Sequence, residues 1–284
     1  MITIAKRNLK IFFRDKSAVF FSLLGVIIII GLYVLFLGET LISDMKEIEN
    51  ARFLMDSWIM AGLLAVTSMT TTMGAFGIMV DDQSKKIRKD FSSSPVKWRD
   101  LAGGYIISAF VVGVIISLIT LVFAEIYIVS NGGKIFSFLD LGKILGLILL
   151  SVLSSSAMVF FIVSFFKSQN AFATASTVIG TLVGFLTGIY IPIGVLPTPI
   201  QFIIKIFPVS HAGSLFRQVM MAEPMKEAFK NAPTEIIETF NQNMGVIFTF
   251  GDDTITFFTS VLILVATTIL FYGLTIFSIS RKRR

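Results

Sequence analysis

Six apolar runs dominate the chain, and each is long enough to cross a lipid bilayer as a helix. A spanning helix needs about 20 largely uncharged residues, because the hydrocarbon core is about 30 Å thick. The runs are residues 17–38, 58–80, 101–129, 141–166, 171–194 and 256–280. Lipid excludes open β-structure, and the alternating pattern of barrel strands is absent. The sequence therefore predicts an all-α membrane protein with six transmembrane helices in one transmembrane domain, residues 1–284.

The composition and the distribution of charge support this fold and predict its orientation. With 55% hydrophobic and 15% charged residues, the chain does not resemble an ordinary soluble domain. About two thirds of the 24 Lys and Arg fall on one side of the predicted bundle, in the N-terminal segment, the loop 81–100, the turn 167–170 and the C-terminal tail. Cationic segments stay in the cytosol during insertion, so both termini are expected to be cytoplasmic. The net charge of +6 is thus a topology signal and predicts no nucleic-acid partner.

The N-terminal segment, residues 1–16, has the pattern of an amphipathic interface helix. If "MITIAKRNLKIFFRDK" is helical, one face carries apolar side chains and another carries cations. The apolar set is Ile2, Ala5, Leu9, Phe12 and Phe13, and the cationic set is Lys6, Arg7, Lys10 and Arg14. Such a helix is expected to lie in the inner membrane interface.

Between spans two and three, the loop 81–100 is long and highly charged. It reads "DDQSKKIRKDFSSSPVKWRD", and Ser94-Pro95 has the residues of a helix start. A simple connection between antiparallel helices needs only about two to eight residues. Phe91 and Trp98 among mixed charges favour a docking surface for another protein, although a solvated connection is the alternative.

Span two carries the hydroxyl residues Thr67, Thr70 and Thr71, which either line a pathway or bond within the helix bundle. Span five carries Gly180, Gly184 and Gly188 at every fourth position, which permits close helix approach within the chain or at a dimer seam.

The segment 195–255, between spans five and six, has apolar pieces too short to cross the bilayer. A re-entrant external hairpin is expected there, with an amphipathic pair lying flat on the membrane as the alternative. Residues 223–254 are expected to cap the outer face.

Residues that carry enzymatic chemistry are sparse, so no catalytic, metal or cofactor site is expected. No GxxxxGK[ST] phosphate-binding loop is present. Asp81 and Asp82 begin a DDxxD-like cluster, but position 85 is a lysine, which repels magnesium. His211 is the single histidine, and there is no cysteine. Glu125 is the only acid inside a predicted span and lies near its outer end, whereas proton-coupled carriers place ionisable groups near the midplane.

Three segments, in order along the chain, resemble the ABC exporter permeases of the second type. "AKRNLKIFFRDKSAVFFSLL" is similar to their amphipathic start and first span, and "MVDDQSKKIRKDFSSSPVKWRDLAGGYI" to their first cytosolic loop with its coupling helix. "LTGIYIPIGVLPTPIQFIIKIFPVSHAGSLFRQVMM" is similar to their fifth span and re-entrant external helices. Because the external segment is longer than in the polysaccharide exporters, the resemblance favours the drug, hemolysin and bacteriocin exporters of Gram-positive bacteria.

This resemblance implies a permease, not an enzyme, in the bacterial plasma membrane and in contact with its lipid. It would export an amphiphilic drug, toxin, peptide or lipid-like molecule, as in multidrug resistance. ATP and Mg would bind a separate ATPase subunit, and two permeases, identical or sister chains, would form a dimer. The ATPase would dock on the coupling loop, braced by Arg7 and Arg14. The docking residues would be Lys86, Arg88, Lys89, Asp90, Phe91, Pro95 and Trp98.

Two other classes of protein stay open on the sequence alone. A secondary carrier or channel without an ATPase would need midplane charges or repeat symmetry, and neither is visible. A membrane-embedded lipid or prenyl transferase would need a carboxylate cluster, which Lys85 interrupts.

Overall fold

The computed structural model describes residues 1–43, 45, 50–87, 97–251 and 253–281, and nearly all of this part is helical. The described chain also contains a π-helical stretch, Tyr33–Leu37, and a 3-10 turn, Ile193–Val195. Strands β1 (Thr249–Phe250) and β2 (Asp253–Thr254) form a short antiparallel hairpin. The predicted all-α architecture is confirmed. The helices are α1 (Ile2–Arg14), α2 (Lys16–Leu32), α3 (Gly38–Ser43), α4 (Ala51–Ser84), α5 (Trp98–Ser130), α6 (Phe138–Val163), α7 (Gln169–Leu186), α8 (Thr198–Ile206), α9 (Pro208–Met220), α10 (Ala222–Ala228), α11 (Thr234–Asn243) and α12 (Phe257–Arg281).

Five helical segments in the described chain are long and apolar enough to cross a membrane. They coincide with predicted spans one to four and six, and they are Lys16–Phe36, Ala51–Ser84, Arg99–Ser130, Phe138–Val163 and Phe257–Phe277. The predicted fifth span corresponds to α7, which has 18 residues and a length of about 27 Å. This helix ends eight residues before the predicted boundary at 194, because Gly188 adopts φ +65 and turns the chain. The count of six spans stays a prediction.

Helix α4 is the central element of the bundle and packs against α5, α6, α7 and α9. Most of its side chains are buried. The small residues Ala61, Gly62 and Ala65 let neighbouring helices approach closely. Farther along, the Ser68 hydroxyl lies 2.7 Å from that of Ser151 on α6. Helix α4 therefore connects the two ends of the bundle.

The N-terminal helix α1 packs against the N-terminal part of α5. Its buried side chains are those of Ile4, Ala5, Asn8 and Phe12, whereas Ile2 and Phe13 are exposed. The expected apolar face is therefore rotated. Gly104 of α5 explains the rotation, because a methyl group there would stand 2.6 Å from Ile4. The glycine leaves room for Ile4, and Asn8 is buried beside it because its amide donates to the Ser108 hydroxyl.

Between α7 and α12 the chain forms the short helices α8 to α11. Helices α8 and α9, joined at Phe207, stand where the hairpin was predicted. Helix α9 is largely buried and packs against α4, α6 and α12, so this segment belongs to the bundle. That the pair re-enters the membrane stays a prediction.

Candidate translocation cavity and cytosolic corner

A cavity of about 500 Å³ lies between α2, α4 and α7. Its walls are mostly apolar and include Phe12, Val26, Ile29, Leu63 and Met73. The polar side chains that line it are all hydroxyls, and they are Ser22, Thr67, Thr70, Ser176, Thr177, Thr181 and Tyr190. The cavity can therefore hold a molecule that is mainly apolar and carries neutral polar groups.

The aliphatic hydroxyls of the cavity already donate to carbonyls of their own helices. Thr67 donates to Leu63 O at 2.7 Å, and Thr181 donates to Thr177 O at 3.0 Å. Each hydroxyl oxygen keeps lone pairs that can accept a hydrogen bond from a bound molecule. Of the three predicted pathway residues, Thr67 and Thr70 line the cavity. Thr71 is fully buried and lies elsewhere on α4.

The three glycines of α7 and its C-terminal turn have different surroundings. Gly180 lines the cavity, and a methyl group there would meet nothing within 4 Å. Gly184 leaves room for the Tyr190 ring, which a methyl group would overlap. Gly188 ends the helix in the left-handed conformation. The close approach at Gly184 is therefore to the chain's own turn, and a dimer seam at this stripe stays a prediction.

At the end of the bundle that is predicted to face the cytosol, α1, α4 and α5 are joined through one buried carboxylate, Asp82. The guanidinium of Arg7 donates to both carboxylate oxygens, at 2.7 and 2.8 Å. The Tyr105 hydroxyl donates to Asp82 at 2.6 Å. The hydrogen bonds to Asp82 raise the pKa of Arg7 above its ordinary value, so the guanidinium stays charged. We call Arg7, Asp82 and Tyr105 the cytosolic corner.

The cytosolic corner lies where the loop 81–100 leaves and re-enters the bundle. Asp82 is two residues before the end of α4, and Tyr105 is in the second turn of α5. A two-pronged arginine–carboxylate pair is geometrically specific, so it holds α1 in one orientation. That Arg7 braces the contact with an ATPase subunit stays a prediction. Arg14 is exposed at the end of α1 and has no ion pair within the described residues.

Most of the predicted docking residues lie outside the described residues, namely Arg88, Lys89, Asp90, Phe91 and Pro95, together with Ser94 of the proposed helix start. Lys86 is exposed and has φ 61 just after α4 ends. Trp98 is the first residue of α5. The described ends of the loop thus place Lys86 and Trp98 on the same side of the bundle as the cytosolic corner.

Sequence reasoning missed a second buried carboxylate, Asp56, near the other end of α4. Tyr33 donates to it at 2.7 Å from the π-helical stretch that follows α2. Arg52 approaches it at 3.9 Å. The predicted span began at Trp58, two positions after this acid. The helix in fact begins at Ala51 and therefore includes Asp56. This carboxylate ties the first candidate span to α4 at the end of the bundle opposite the cytosolic corner.

A third missed residue is Arg217 on α9, whose side chain is fully buried. Its guanidinium donates to the carbonyls of Thr187 and Gly188 at the end of α7, at 3.0 and 3.2 Å. It also donates to Gly245 O, after α11, at 3.4 Å. Burial lowers the pKa of Arg217 to about 9, which leaves it cationic at neutral pH. Arg217 therefore joins the carboxyl ends of α7 and α11.

The side chains with catalytic potential, His211 and Ser210, have structural partners. His211 Nε2 lies 2.8 Å from Lys205 O, and its Nδ1 lies 3.2 Å from the Ser260 hydroxyl on α12. Ser210 donates to Leu186 O at 2.6 Å. Among the described residues, no group of three or more His, Cys, Asp or Glu could hold a metal ion.

The comparisons with known proteins identify the family. The family model described as "ABC-2 family transporter protein" matches residues 45–277, which is most of the chain. The match includes α4 to α9 and therefore the cavity wall formed by α4 and α7. No curated protein matches the chain in sequence. With its apolar helices, the chain is a multi-pass membrane protein, the non-catalytic permease component of an ABC transporter, and it belongs to the ABC-2 transporter family.

Proposed function

We propose that the permease exports an amphiphilic molecule, such as a drug, toxin, peptide or lipid-like compound, through the cavity between α2, α4 and α7. The observation that carries this proposal is the lining of that cavity. Its walls are apolar, and its polar groups are neutral hydroxyls such as Thr67, Thr70 and Thr181. A strongly charged substrate would lose its hydration there without gaining a counter-charge.

The energy for export would come from a separate ATPase subunit, which holds ATP and Mg and docks on the loop 81–100. The geometry of the loop's ends supports this role. Asp82 at the start of the loop and Tyr105, five residues after its end, are joined by a hydrogen bond, and Arg7 of α1 binds the same carboxylate. A force on the loop would therefore reach α1, α4 and α5 together. Because α4 also lines the cavity, that force has a direct route to the substrate path.

The orientation and the assembly follow from the same proposal. The cationic loop and termini would face the cytoplasm of a bacterial cell. The cavity opens beside α2 and α7, where Ile27, Ile28, Val178 and Leu182 are exposed on the single chain. A second permease, identical or a sister chain, would cover this side and complete the path.

The carrier alternative finds little support in the two buried carboxylates. Asp56 and Asp82 stand 26 positions apart on one helix, which corresponds to roughly 39 Å. Because the hydrocarbon core is about 30 Å thick, one of these carboxylates lies near each surface of the membrane. Proton-coupled carriers concentrate ionisable groups near the midplane.

The test is a tagged pull-down of the full chain from mild detergent after co-expression with the cell's ABC ATPase subunits. We expect one ATPase subunit in about equal amount, with ATP hydrolysis that rises when an amphiphile is added. The triple charge reversal Lys86→Glu, Arg88→Glu and Lys89→Glu should remove the ATPase subunit. A control triple on the opposite side, Lys143→Glu, Lys226→Glu and Lys230→Glu, should retain it. A chain that purifies alone and moves solute without ATP would refute the proposal.

A further inference from the structure

We propose that α1 carries a binding surface for anionic phospholipid headgroups, formed by Lys6, Lys10 and Arg14. This surface goes beyond the export function and does not depend on it. Its ligand is a lipid whose headgroup carries a net negative charge, in the membrane leaflet on the cytosolic side.

The chain connection confines α1 to the membrane surface. Only Asp15, in an extended conformation, separates α1 from α2, which begins at Lys16 as the first candidate span. Because the span starts immediately, α1 cannot move away from the level of the lipid headgroups. At its other end, the amine of Met1 pairs with Asp100 of α5, 3.5 Å away. The helix is therefore held at both ends beside the bundle.

The three cations point away from the bundle. The packed side of α1 consists of Ile4, Ala5, Asn8 and Phe12, and the helical period of 3.6 residues places Lys6, Lys10 and Arg14 on the opposite side. All three are exposed. Between the two sides lie Ile2, 68% exposed, and Phe13, 40% exposed. An apolar strip next to a row of cations is the arrangement of a helix inserted at the boundary between acyl chains and headgroups.

The four acids that the structure describes in this region are engaged by other groups. Asp82 binds Arg7, Asp100 pairs with the N-terminal amine, and Asp81 pairs with Lys85 at 2.8 Å. Asp15 accepts a hydrogen bond from the Ala18 amide at 3.0 Å. Within the described residues, Lys6, Lys10 and Arg14 therefore have no acidic partner. An anionic headgroup supplies the charge that complements them.

The experiment measures which lipids the full chain retains. The protein is prepared in mixed micelles that contain equal amounts of phosphatidylglycerol and phosphatidylcholine with the same acyl chains. It is then released from the micelles, and native mass spectrometry identifies the lipids that stay bound. We expect the wild-type protein to retain phosphatidylglycerol over phosphatidylcholine in a ratio of about ten to one or more. The double variant Lys6→Gln and Lys10→Gln should bring the ratio close to one, because each lysine near the surface changes affinity by about fivefold. The preference of the wild type should also fall as salt is raised, which tests the surface without any variant.

The control is the double variant Lys226→Gln and Lys230→Gln, which neutralises two exposed lysines in and just after α10 and should keep the wild-type ratio. A wild-type ratio near one, or an unchanged ratio in the Lys6 and Lys10 variant, would overturn the proposal. If that variant kept its lipid ratio and lost an ATPase subunit instead, the surface would be a protein-docking face. The melting temperature of the variant should match the wild type, since both lysines are exposed and unpaired in the described chain.

Discussion

The guanidinium carbon of Arg217 lies 4.7 Å above the ring centre of Trp58. Trp58 in turn donates to Met244 O at 2.7 Å, so α4 and the turn after α11 meet at this cation. The carbonyl partners of Arg217 are at the carboxyl ends of α7 and α11, where the helix dipole favours a positive charge. Within the described residues no acid pairs with Arg217, so backbone carbonyls and one aromatic face hold the buried charge.

Replacing Arg217 by Met should destabilise the protein by about 3 to 5 kcal/mol, because buried carbonyls at two helix ends lose their donor. Arg14→Met removes an exposed cation of the same type and should change stability by less than about 0.5 kcal/mol. Both changes in stability can be measured by unfolding the variants in mixed micelles that contain an increasing fraction of a denaturing detergent. Equal unfolding of the two variants would contradict the role assigned to Arg217.

We expect the ion pair between Arg7 and Asp82 to contribute more to the coupling of ATP hydrolysis to transport than to the stability of the fold. We expect Arg7→Gln and Asp82→Asn each to reduce substrate-stimulated ATP hydrolysis in the complex with the ATPase subunit. In a double-mutant cycle on stability, Arg7 and Asp82 should have an interaction free energy of about 1 to 3 kcal/mol. The exposed pair Lys226 and Glu223, 3.7 Å apart, should have an interaction free energy below about 1 kcal/mol. Additive effects of Arg7→Gln and Asp82→Asn would argue against the corner.

The close packing of α1 on α5 predicts different outcomes for two Gly→Ala substitutions. Ala at Gly104 would place its methyl group 2.6 Å from Ile4 and 3.3 Å from the carbonyl of Met1, so α1 must shift. We expect a loss of about 1 to 3 kcal/mol and weaker coupling. Ala at Gly146, which meets nothing within 4 Å, should be neutral or stabilising by up to about 1 kcal/mol. Thermal melting of the two variants in one detergent compares them directly, and equal melting temperatures would contradict the packing.

His211 should make stability depend on pH. Burial lowers its pKa below the ordinary value, so the folded protein favours the neutral imidazole. In the unfolded chain the side chain titrates near 6.5. The contribution of the neutral form is therefore present above about pH 6.5 and is lost as the pH falls below it. Between pH 7.5 and 5, wild-type protein should lose more stability than His211→Gln. Parallel curves for the two proteins would contradict this.

The elements set by local composition were predictable. The apolar runs at α2, α4, α5, α6 and α12 were recognised because a bilayer-spanning helix needs one long uncharged segment, which is a property of consecutive residues. The match to the ABC-2 family confirms the recognised class. The presence of a helix before the first span followed from its alternation of apolar and cationic residues.

The pairings across the chain were not predictable from such patterns. Arg7 and Asp82 are 75 positions apart, and Trp58 and Met244 are 186 positions apart. No spacing rule connects residues on different helices, and the buried side of α1 depends on the space left by Gly104 of α5. Asp56 and Arg217 were not predicted to be buried, because an isolated charged residue near an apolar run usually indicates the end of that run.

The helical membrane architecture, the family and the position of the charged loop along the chain were thus readable from the order of apolar and charged residues. The folded structure was needed to show which hydroxyls line the cavity, which side of α1 is buried, and which partners hold Asp82 and Arg217. The physical reason is that a buried charge is stable only where donors or acceptors converge on it. That convergence is a property of packed helices, so it exists only after the chain has folded.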